Sequence, residues 1–75
     1  MGERVRSAMF NSLGETVRGS RVLDAFAGSG AIGLEALSRG AESVVFVERD
    51  RVAQRVIAEN IASLGVDEKS IVIKT

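Results

Sequence analysis

The sequence predicts an α/β fold with three parallel strands in the order 3-2-1, one half of a doubly wound sheet. Helical and strand-like segments alternate along all 75 residues, and successive strands are separated by one helical segment. Strands joined through a helix run parallel, with right-handed crossovers. A glycine-rich turn over residues 28–33 joins the first strand to a helix. We therefore expect residues 1–75 to form a single, partial domain.

The N-terminal segment has helical periodicity. Apolar residues recur every three or four positions over residues 3–13, which predicts a helix that ends at Gly14. An apolar run over residues 21–26 follows, with glycines nearby on both sides, and is typical of a buried strand. This strand begins a predicted βαβαβ unit that spans residues 21–75.

The rest of that unit follows the same alternation. Residues 31–38 fit a helix, and the β-branched and aromatic run at 43–48 fits a strand that is buried on both faces of a parallel sheet. Asp50 is placed to cap a helix over residues 51–64, whose apolar positions recur at intervals of three and four. The apolar run at 70–74 completes the predicted sheet.

The composition excludes several classes of function. Ten basic and ten acidic residues give a formal net charge of zero, so no overall field directs the chain to nucleic acid or to anionic membranes. Cysteine and histidine are absent, which excludes disulfides, thiolate metal sites and Ser-His-Asp or Cys-His catalysis; we expect no metal site. The longest apolar runs fall far short of the roughly 18 residues of a membrane span. A soluble, cytoplasmic protein is expected, with no membrane partner.

The glycine-rich turn has the pattern G-x-G-x-x-G, at Gly28, Gly30 and Gly33. Glycine has no Cβ and adopts positive φ easily, so such a turn lets a ligand approach the backbone closely. The pattern alone is weak, but here it follows a predicted strand and opens a predicted helix, as a nucleotide-binding loop requires. The alternative is a tight turn with a purely structural role.

Asp24 stands four positions before the first glycine of the turn. A carboxylate at the end of the first strand would repel a pyrophosphate but would attract a cation such as the α-ammonium of a methionine moiety. This favours S-adenosylmethionine over a dinucleotide as the cofactor. Alternatively, the Asp24 carboxylate accepts hydrogen bonds that brace the Gly28 turn, and the two roles are compatible.

Glu48 ends the second predicted strand, 20 residues beyond Gly28. At this spacing an acidic side chain meets ribose hydroxyls in this topology, since its two oxygens can accept from both the 2′- and 3′-hydroxyls. The alternatives are a solvated strand end or an ion pair with Arg49 or Arg51. Arg49 also belongs among the candidate cofactor-contacting residues. The charge of Glu48 disfavours a bound 2′-phosphate, although Arg49 and Arg51 lie close enough to leave that alternative open.

Other polar residues are less informative. Asn60 interrupts an apolar helix face and lies either at the rim of that face or in a buried hydrogen-bonded site. Four arginines precede or flank the first strand, and without a strongly basic footprint we interpret them as solvated surface residues rather than a phosphate-binding patch. They are Arg4, Arg6, Arg18 and Arg21.

Three stretches of the chain together resemble one family, the RsmD-type 16S ribosomal RNA guanine-N2 methyltransferases. They are RVRSAMFNSL at 4–13, VLDAFAGSGAIGLEALSRGA at 22–41 and VVFVERD at 44–50. The resemblance covers essentially the whole chain, and its central stretch is far more specific than a bare glycine pattern.

The resemblance implies a Rossmann-like class I methyltransferase fold, S-adenosylmethionine as the cofactor and small-subunit ribosomal RNA as the partner. In such an enzyme, Asp24 and the neighbouring backbone hold the methionine end of the cofactor, and Glu48 holds its ribose. The backbone concerned is that of Ala27, Gly28, Ser29 and Gly30.

The chain also departs from the family pattern. Ser7 stands where family members usually have an acidic residue. The family's Asp-Pro-Pro-aromatic motif, which positions the target guanine, cannot be present because the chain has no proline. We therefore predict no catalytic residue here and expect the cofactor-binding part of an enzyme, inactive by itself.

Two other classes of protein remain as alternatives to a methyltransferase. The first is a fragment of an NAD-binding oxidoreductase, which Asp24 disfavours. The second is a non-catalytic piece that self-associates through the exposed edge of its first strand, since an unpaired edge is a template for further pairing.

Overall fold

The computed structural model describes residues 2–75 and contains three α-helices and three strands in that range. Short 3₁₀ turns lie at Gly14–Val17 and Asp67–Lys69. The elements, in chain order, are α1 (Glu3–Leu13), β1 (Arg21–Ala25), α2 (Ala31–Ser38), β2 (Ser43–Glu48), α3 (Arg51–Leu64) and β3 (Ser70–Lys74).

These bounds agree with the predicted elements except at the end of β1. The strand was predicted to include Phe26, but it ends at Ala25. Phe26 has φ of 57°, which lies in the left-handed region and cannot continue an extended strand. The strand therefore ends where the chain turns into the glycine loop.

The three strands form one parallel sheet in the order β1-β2-β3, as predicted. In its register Leu23 lies beside Val45, which lies beside Ile71. Both β1 and β3 are edge strands within the described residues. The carboxyl ends of all three strands therefore meet at the same edge of the sheet, where α/β folds place their ligands.

The core lies on one face of the sheet. Helices α2 and α3 pack there against β1, β2 and β3, and the ring of Phe46 is fully buried between them. Phe10 of α1 joins the same cluster and anchors that helix. The buried apolar residues are Phe10, Val17, Ala36, Leu37, Ala41, Val44, Phe46, Ile57 and Ile61.

The opposite face of the sheet is apolar but is not covered by residues 2–75. Leu23 is 68% exposed and Ile71 is 62% exposed, while Val45 between them is half-buried. The prediction that β2 is buried on both faces is therefore wrong for this part of the chain. Parallel sheets are normally covered on both faces, and here the helices occupy only one.

The start of α3 forms as the sequence predicts. The Asp50 carboxylate (Oδ2) accepts a hydrogen bond from the Ala53 N–H at 2.8 Å, the side-chain cap expected of an aspartate before a helix. This cap fixes the start of α3 directly after the end of β2.

Candidate functional site

The glycine loop lies between the carboxyl end of β1 and the start of α2, beside the end of β2. Gly28 has φ of 59° and Gly30 has φ of 85°, so both positions favour glycine. Apart from the two neighbouring residues in the chain, no atom of residues 2–75 lies within 4 Å of the place where a Cβ of Gly28 would be. The backbone at Gly28 is therefore open to a ligand.

Gly33 serves a different purpose from the first two glycines. A Cβ at this position would overlap the ring of Phe46 and would lie 2.8 Å from Val44 Cγ1. The third glycine of such a motif permits close packing of helix against strand. Here it lets α2 lie directly on β2, which brings the glycine loop down to the sheet edge.

Asp24 is buried at the end of β1, with 6% of the residue exposed. Its Oδ2 atom accepts a hydrogen bond from the Gly33 N–H at 3.0 Å. The bracing role considered for Asp24 is thus present, but it acts on the first turn of α2 rather than on the Gly28 turn. Burial raises the pKa of Asp24, the Gly33 N–H partly offsets this, and the nearby Glu48 charge adds to the rise.

The second carboxylate oxygen of Asp24 faces accessible space. Within residues 2–75, Oδ1 makes no hydrogen bond, and in the same range no fully buried side-chain oxygen lacks a partner. Beside it lies a cavity of about 270 Å³ lined by Asp24 and by part of the glycine loop. Small-molecule pockets usually measure roughly 300–1,000 Å³, so this cavity can hold one end of a cofactor.

The cavity brings together four of the candidate residues and leaves four outside its walls. Ala27, Gly28 and Ser29 line it with Asp24, whereas Gly30, Gly33, Glu48 and Arg49 do not. A larger depression, about 510 Å³, runs along α1 and touches none of the candidates.

Glu48 is held at the end of β2 by backbone N–H groups. Its Oε1 accepts from Gly28 at 2.7 Å, and its Oε2 accepts from Asp50 at 2.9 Å and from Arg49 at 3.1 Å. The residue is 9% exposed, so the alternative of a solvated strand end is wrong. Its short contacts are with these amides and not with the Arg49 or Arg51 guanidinium.

These amides lower the pKa of Glu48, with Asp50 and Gly28 contributing most and the Arg49 charge least. A carboxylate that accepts several N–H bonds favours its ionised form. Asp24 and Glu48 thus have their pKa values shifted in opposite directions, although they end adjacent strands.

The glycine loop is tied down from a third side by α3. The Asn60 side-chain amide donates to the Ser29 carbonyl at 3.1 Å, and Asn60 is half-buried. Of the two positions that the sequence allows for Asn60, the structure thus shows the one at the rim of the apolar helix face, where its side chain holds the loop. Nothing in the helical periodicity could identify Ser29 as its partner.

Arg6 is the residue that sequence reasoning misplaced. Arg4, Arg18 and Arg21 are exposed, as the interpretation of solvated surface arginines requires. The side chain of Arg6 is only 20% exposed, and it lines the same cavity as Asp24. A sequence pattern could not show this, because α1 reaches the glycine loop only through tertiary packing.

The Glu48 contacts predict a dependence of stability on pH. Its folded pKa lies below the ordinary value of 4.5, so its stabilising contribution is complete above that value and is lost as the pH falls below it. We expect Glu48→Gln to unfold at lower urea than the native chain at pH 7, with the difference shrinking toward pH 3. Urea unfolding followed by circular dichroism across this range measures both curves.

A matched control lies on α3. Glu59 is exposed, and Glu59→Gln should reproduce the native pH profile. A constant difference between Glu48→Gln and the native chain from pH 7 to pH 3 would show that the ionised Glu48 carboxylate does not stabilise the fold.

Comparison with known protein families identifies the family to which the chain belongs. The family model described as "Conserved hypothetical protein 95" matches residues 1–75. The chain belongs to this family. The resemblance to RsmD-type methyltransferases found in the sequence is thereby confirmed.

Relatives in this family are named as ribosomal RNA methyltransferases. Ribosomal RNA small subunit methyltransferase D of Escherichia coli (strain K12) is 41% identical over 70 residues, which make up 93% of this chain and 35% of that protein. The candidate rRNA methyltransferase YlbH of Bacillus subtilis (strain 168) is 40% identical over 72 residues, 96% of this chain and 39% of that protein. The chain thus spans little more than a third of the length of these relatives.

Solved structures place the family fold among the class I methyltransferases. The candidate methyltransferase yhhF from Escherichia coli matches all of this chain and 41% of its own, with a TM-score of 0.93 and 39% identity. The C-terminal domain of precorrin-6Y C5,15-methyltransferase from Rhodobacter capsulatus matches all of this chain and 40% of its own, with a TM-score of 0.88. At 20% identity, this second likeness concerns the fold alone. The class I fold predicted for the family is confirmed.

Two further observations concern membrane-spanning helices and metal-binding groups in the described part of the chain. Among residues 2–75, no helix has both the length and the apolar character needed to cross a membrane. The same residues contain no group of three or more acidic side chains placed to share a metal ion.

Proposed function

We propose that this chain is the S-adenosylmethionine-binding portion of an rRNA guanine-N2 methyltransferase that acts on the small ribosomal subunit. The observation that carries the proposal is the pair of carboxylates at adjacent strand ends. Glu48 accepts a hydrogen bond from the Gly28 N–H at one end of the glycine-rich turn. Asp24 accepts one from the Gly33 N–H at the other end. The names of the relatives support the rRNA substrate.

The methionine end of the cofactor fits the cavity beside Asp24. Its ammonium group is a cation, and Asp24 Oδ1 supplies a carboxylate oxygen without a hydrogen-bond partner in residues 2–75. A pyrophosphate would meet the same oxygen as a repulsive charge. The Gly28 backbone, where nothing lies within 4 Å of a Cβ position, leaves room for the chain that joins this end to the ribose.

The ribose fits at Glu48, with a definite consequence for its hydrogen bonds. A carboxylate offers about four acceptor sites, and backbone amides use three of them in Glu48. One ribose hydroxyl can bind at the remaining site on Oε1. A second hydroxyl would have to displace one of the amides.

The chemistry that the cofactor supplies is an electrophilic methyl group. The residues described here bind and orient the cofactor, and positioning alone contributes substantially to such a transfer. We infer that the 75-residue chain by itself transfers no methyl group, that its partner is ribosomal RNA or a small-subunit particle, and that the protein acts in the cytoplasm.

Nuclear magnetic resonance titration of the ¹⁵N-labelled chain tests the cofactor assignment. S-adenosylhomocysteine should bind, weakly, and should shift the amide signals of Gly28, Gly30 and Glu48 most. Gly65, at the far end of α3, provides an internal control and should not shift. NAD should bind more weakly than S-adenosylhomocysteine.

Three outcomes would contradict parts of the proposal. Tighter binding of NAD would assign the loop to an oxidoreductase, and no shift at the loop with S-adenosylhomocysteine would remove the cofactor site. Transfer of a labelled methyl group to small-subunit particles by this chain alone would contradict its inferred inactivity.

A further inference from the structure

Arg6 is held on the inner side of α1 although its side chain is charged. It lies one helical turn before Phe10, and residues four apart share a helix face. Phe10 is 2% exposed and anchors α1 in the core. The packing of Phe10 therefore directs Arg6 toward the end of β1 rather than toward solvent.

The guanidinium of Arg6 forms one long ion pair, with Glu35, and no hydrogen bond within residues 2–75. Its nearest carboxylate oxygen is Glu35 Oε1, at 3.8 Å from Nε, which is beyond hydrogen-bond distance. The other oxygen of Glu35 already accepts from Arg39 Nε at 2.8 Å. An arginine has five N–H donors, and a largely buried one is expected to use them.

Arg6 lies at the wall of the cavity beside Asp24. Arg6 and Asp24 line it together, so one cationic and one anionic side chain meet the same space. Ala31 and Ile32 also line it, and N–H groups in the first turn of a helix have no carbonyl partner within that helix. The cavity thus offers an acceptor for a cation and several donors for an anion.

A ligand that carries an ammonium and a carboxylate on the same carbon atom matches this arrangement. We propose that Arg6 binds the α-carboxylate of the methionine end of S-adenosylmethionine, while Asp24 binds its ammonium. This inference rests on the proposed cofactor site and adds a residue from outside the βαβαβ unit. It also gives α1 a role in ligand binding beyond its packing on the core.

Ligands that differ only in the carboxylate provide the test. The native chain should bind S-adenosylmethionine roughly 10- to 100-fold more tightly than decarboxylated S-adenosylmethionine, the range expected for hydrogen bonds to a charged group. In Arg6→Gln this preference should fall below about threefold, whereas Arg6→Lys should keep an intermediate preference because it retains the charge. Titration by nuclear magnetic resonance measures each affinity.

Arg4 supplies the matched control. It is exposed on α1 and does not line the cavity, so Arg4→Gln should keep the native preference. Thermal unfolding of all three variants, followed by circular dichroism, separates a loss of the carboxylate preference from a loss of folding.

Several outcomes would overturn the assignment of Arg6. Equal binding of the two ligands by the native chain would do so without any variant. An Arg6→Gln chain that keeps the native preference, or that loses affinity for both ligands equally, would show a purely structural role. If Arg6→Gln bound rRNA more weakly than the native chain, in a salt-dependent way, and kept the native preference between the two adenosyl ligands, Arg6 would be assigned to an RNA phosphate instead. Failure of the native chain to bind any adenosyl ligand would instead contradict the cofactor site itself.

Discussion

Replacement of Gly33 by alanine should destabilise the fold by up to about 2 kcal/mol, although alanine is the better helix former. Helix propensity favours alanine by roughly 1 kcal/mol, but overpacking a closed core costs about 1–3 kcal/mol and occasionally more. The new methyl group would overlap the ring of Phe46, which is 0% exposed in the core. Urea unfolding of Gly33→Ala measures the net effect.

A second substitution, Phe46→Leu, tests whether the overlap with the ring causes the loss of stability. Leucine lacks the two ring atoms that the alanine methyl group at position 33 would meet. The methyl group would still lie 2.8 Å from Val44 Cγ1. Gly33→Ala should therefore be less destabilising in the Phe46→Leu background than in the native chain. Gly19→Ala is the control, because Gly19 has φ of 76° but no atom near its Cβ position. Its backbone strain of about 1–2 kcal/mol should be the same in both backgrounds.

If Gly33→Ala proved as stable as the native chain, or if Phe46→Leu gave it no relief, the close approach of α2 to β2 would not be what requires glycine here. A stable Gly33→Ala chain that no longer binds cofactor would shift the role of Gly33 from packing to the ligand.

Replacement of Asp24 by asparagine should separate stability from binding. Asparagine keeps a carbonyl oxygen that can accept the Gly33 N–H, and it removes a buried charge. We expect Asp24→Asn to be at least as stable as the native chain at pH 7. Its affinity for S-adenosylhomocysteine should fall roughly 10- to 100-fold, since a charged hydrogen bond to the ammonium is lost.

The pKa of Asp24 determines how this difference changes with pH. Burial raises the folded pKa above the ordinary value of 3.8, so the ionised carboxylate disfavours folding at every pH above the folded pKa. That cost is relieved as the pH falls through the folded pKa toward 3.8. The stability advantage of Asp24→Asn should therefore be greatest near neutrality and should shrink on acidification, which urea unfolding at several pH values can follow.

Asp24→Ala provides the contrast, because it also removes the acceptor for the Gly33 N–H. It should be less stable than Asp24→Asn at pH 7. Unchanged cofactor affinity in Asp24→Asn would show that the carboxylate only braces α2 and does not select S-adenosylmethionine over a dinucleotide.

The elements of the fold could be predicted because their signals are local. The intervals of three and four in α3, its Asp50 cap and the β-branched run in β2 each depend on neighbouring residues alone, and all three predictions are confirmed. The end of β1 was predicted one residue too long, because nothing in its residue types reveals the positive φ of Phe26.

The candidate site could be predicted only where spacing along the chain determines position. Asp24 and Glu48 end strands that lie side by side, so their proximity to the loop follows from the topology. The partner of Asn60 and the position of Arg6 at the cavity depend instead on how two helices pack near the loop, which is 31 residues away along the chain in the case of Asn60. Such contacts leave no periodic signal.

The three side chains that tie down the glycine loop have a consequence for the entropy of binding. Asp24, Glu48 and Asn60 come from three different elements, and each fixes a backbone group of the loop or of the helix that follows it. Ordering a flexible loop on binding reduces affinity, whereas this loop has already lost most of its freedom when the chain folds. The conformational entropy of the loop is therefore lost during folding, and loosening α3 alone should weaken binding in a cavity that no residue of α3 lines.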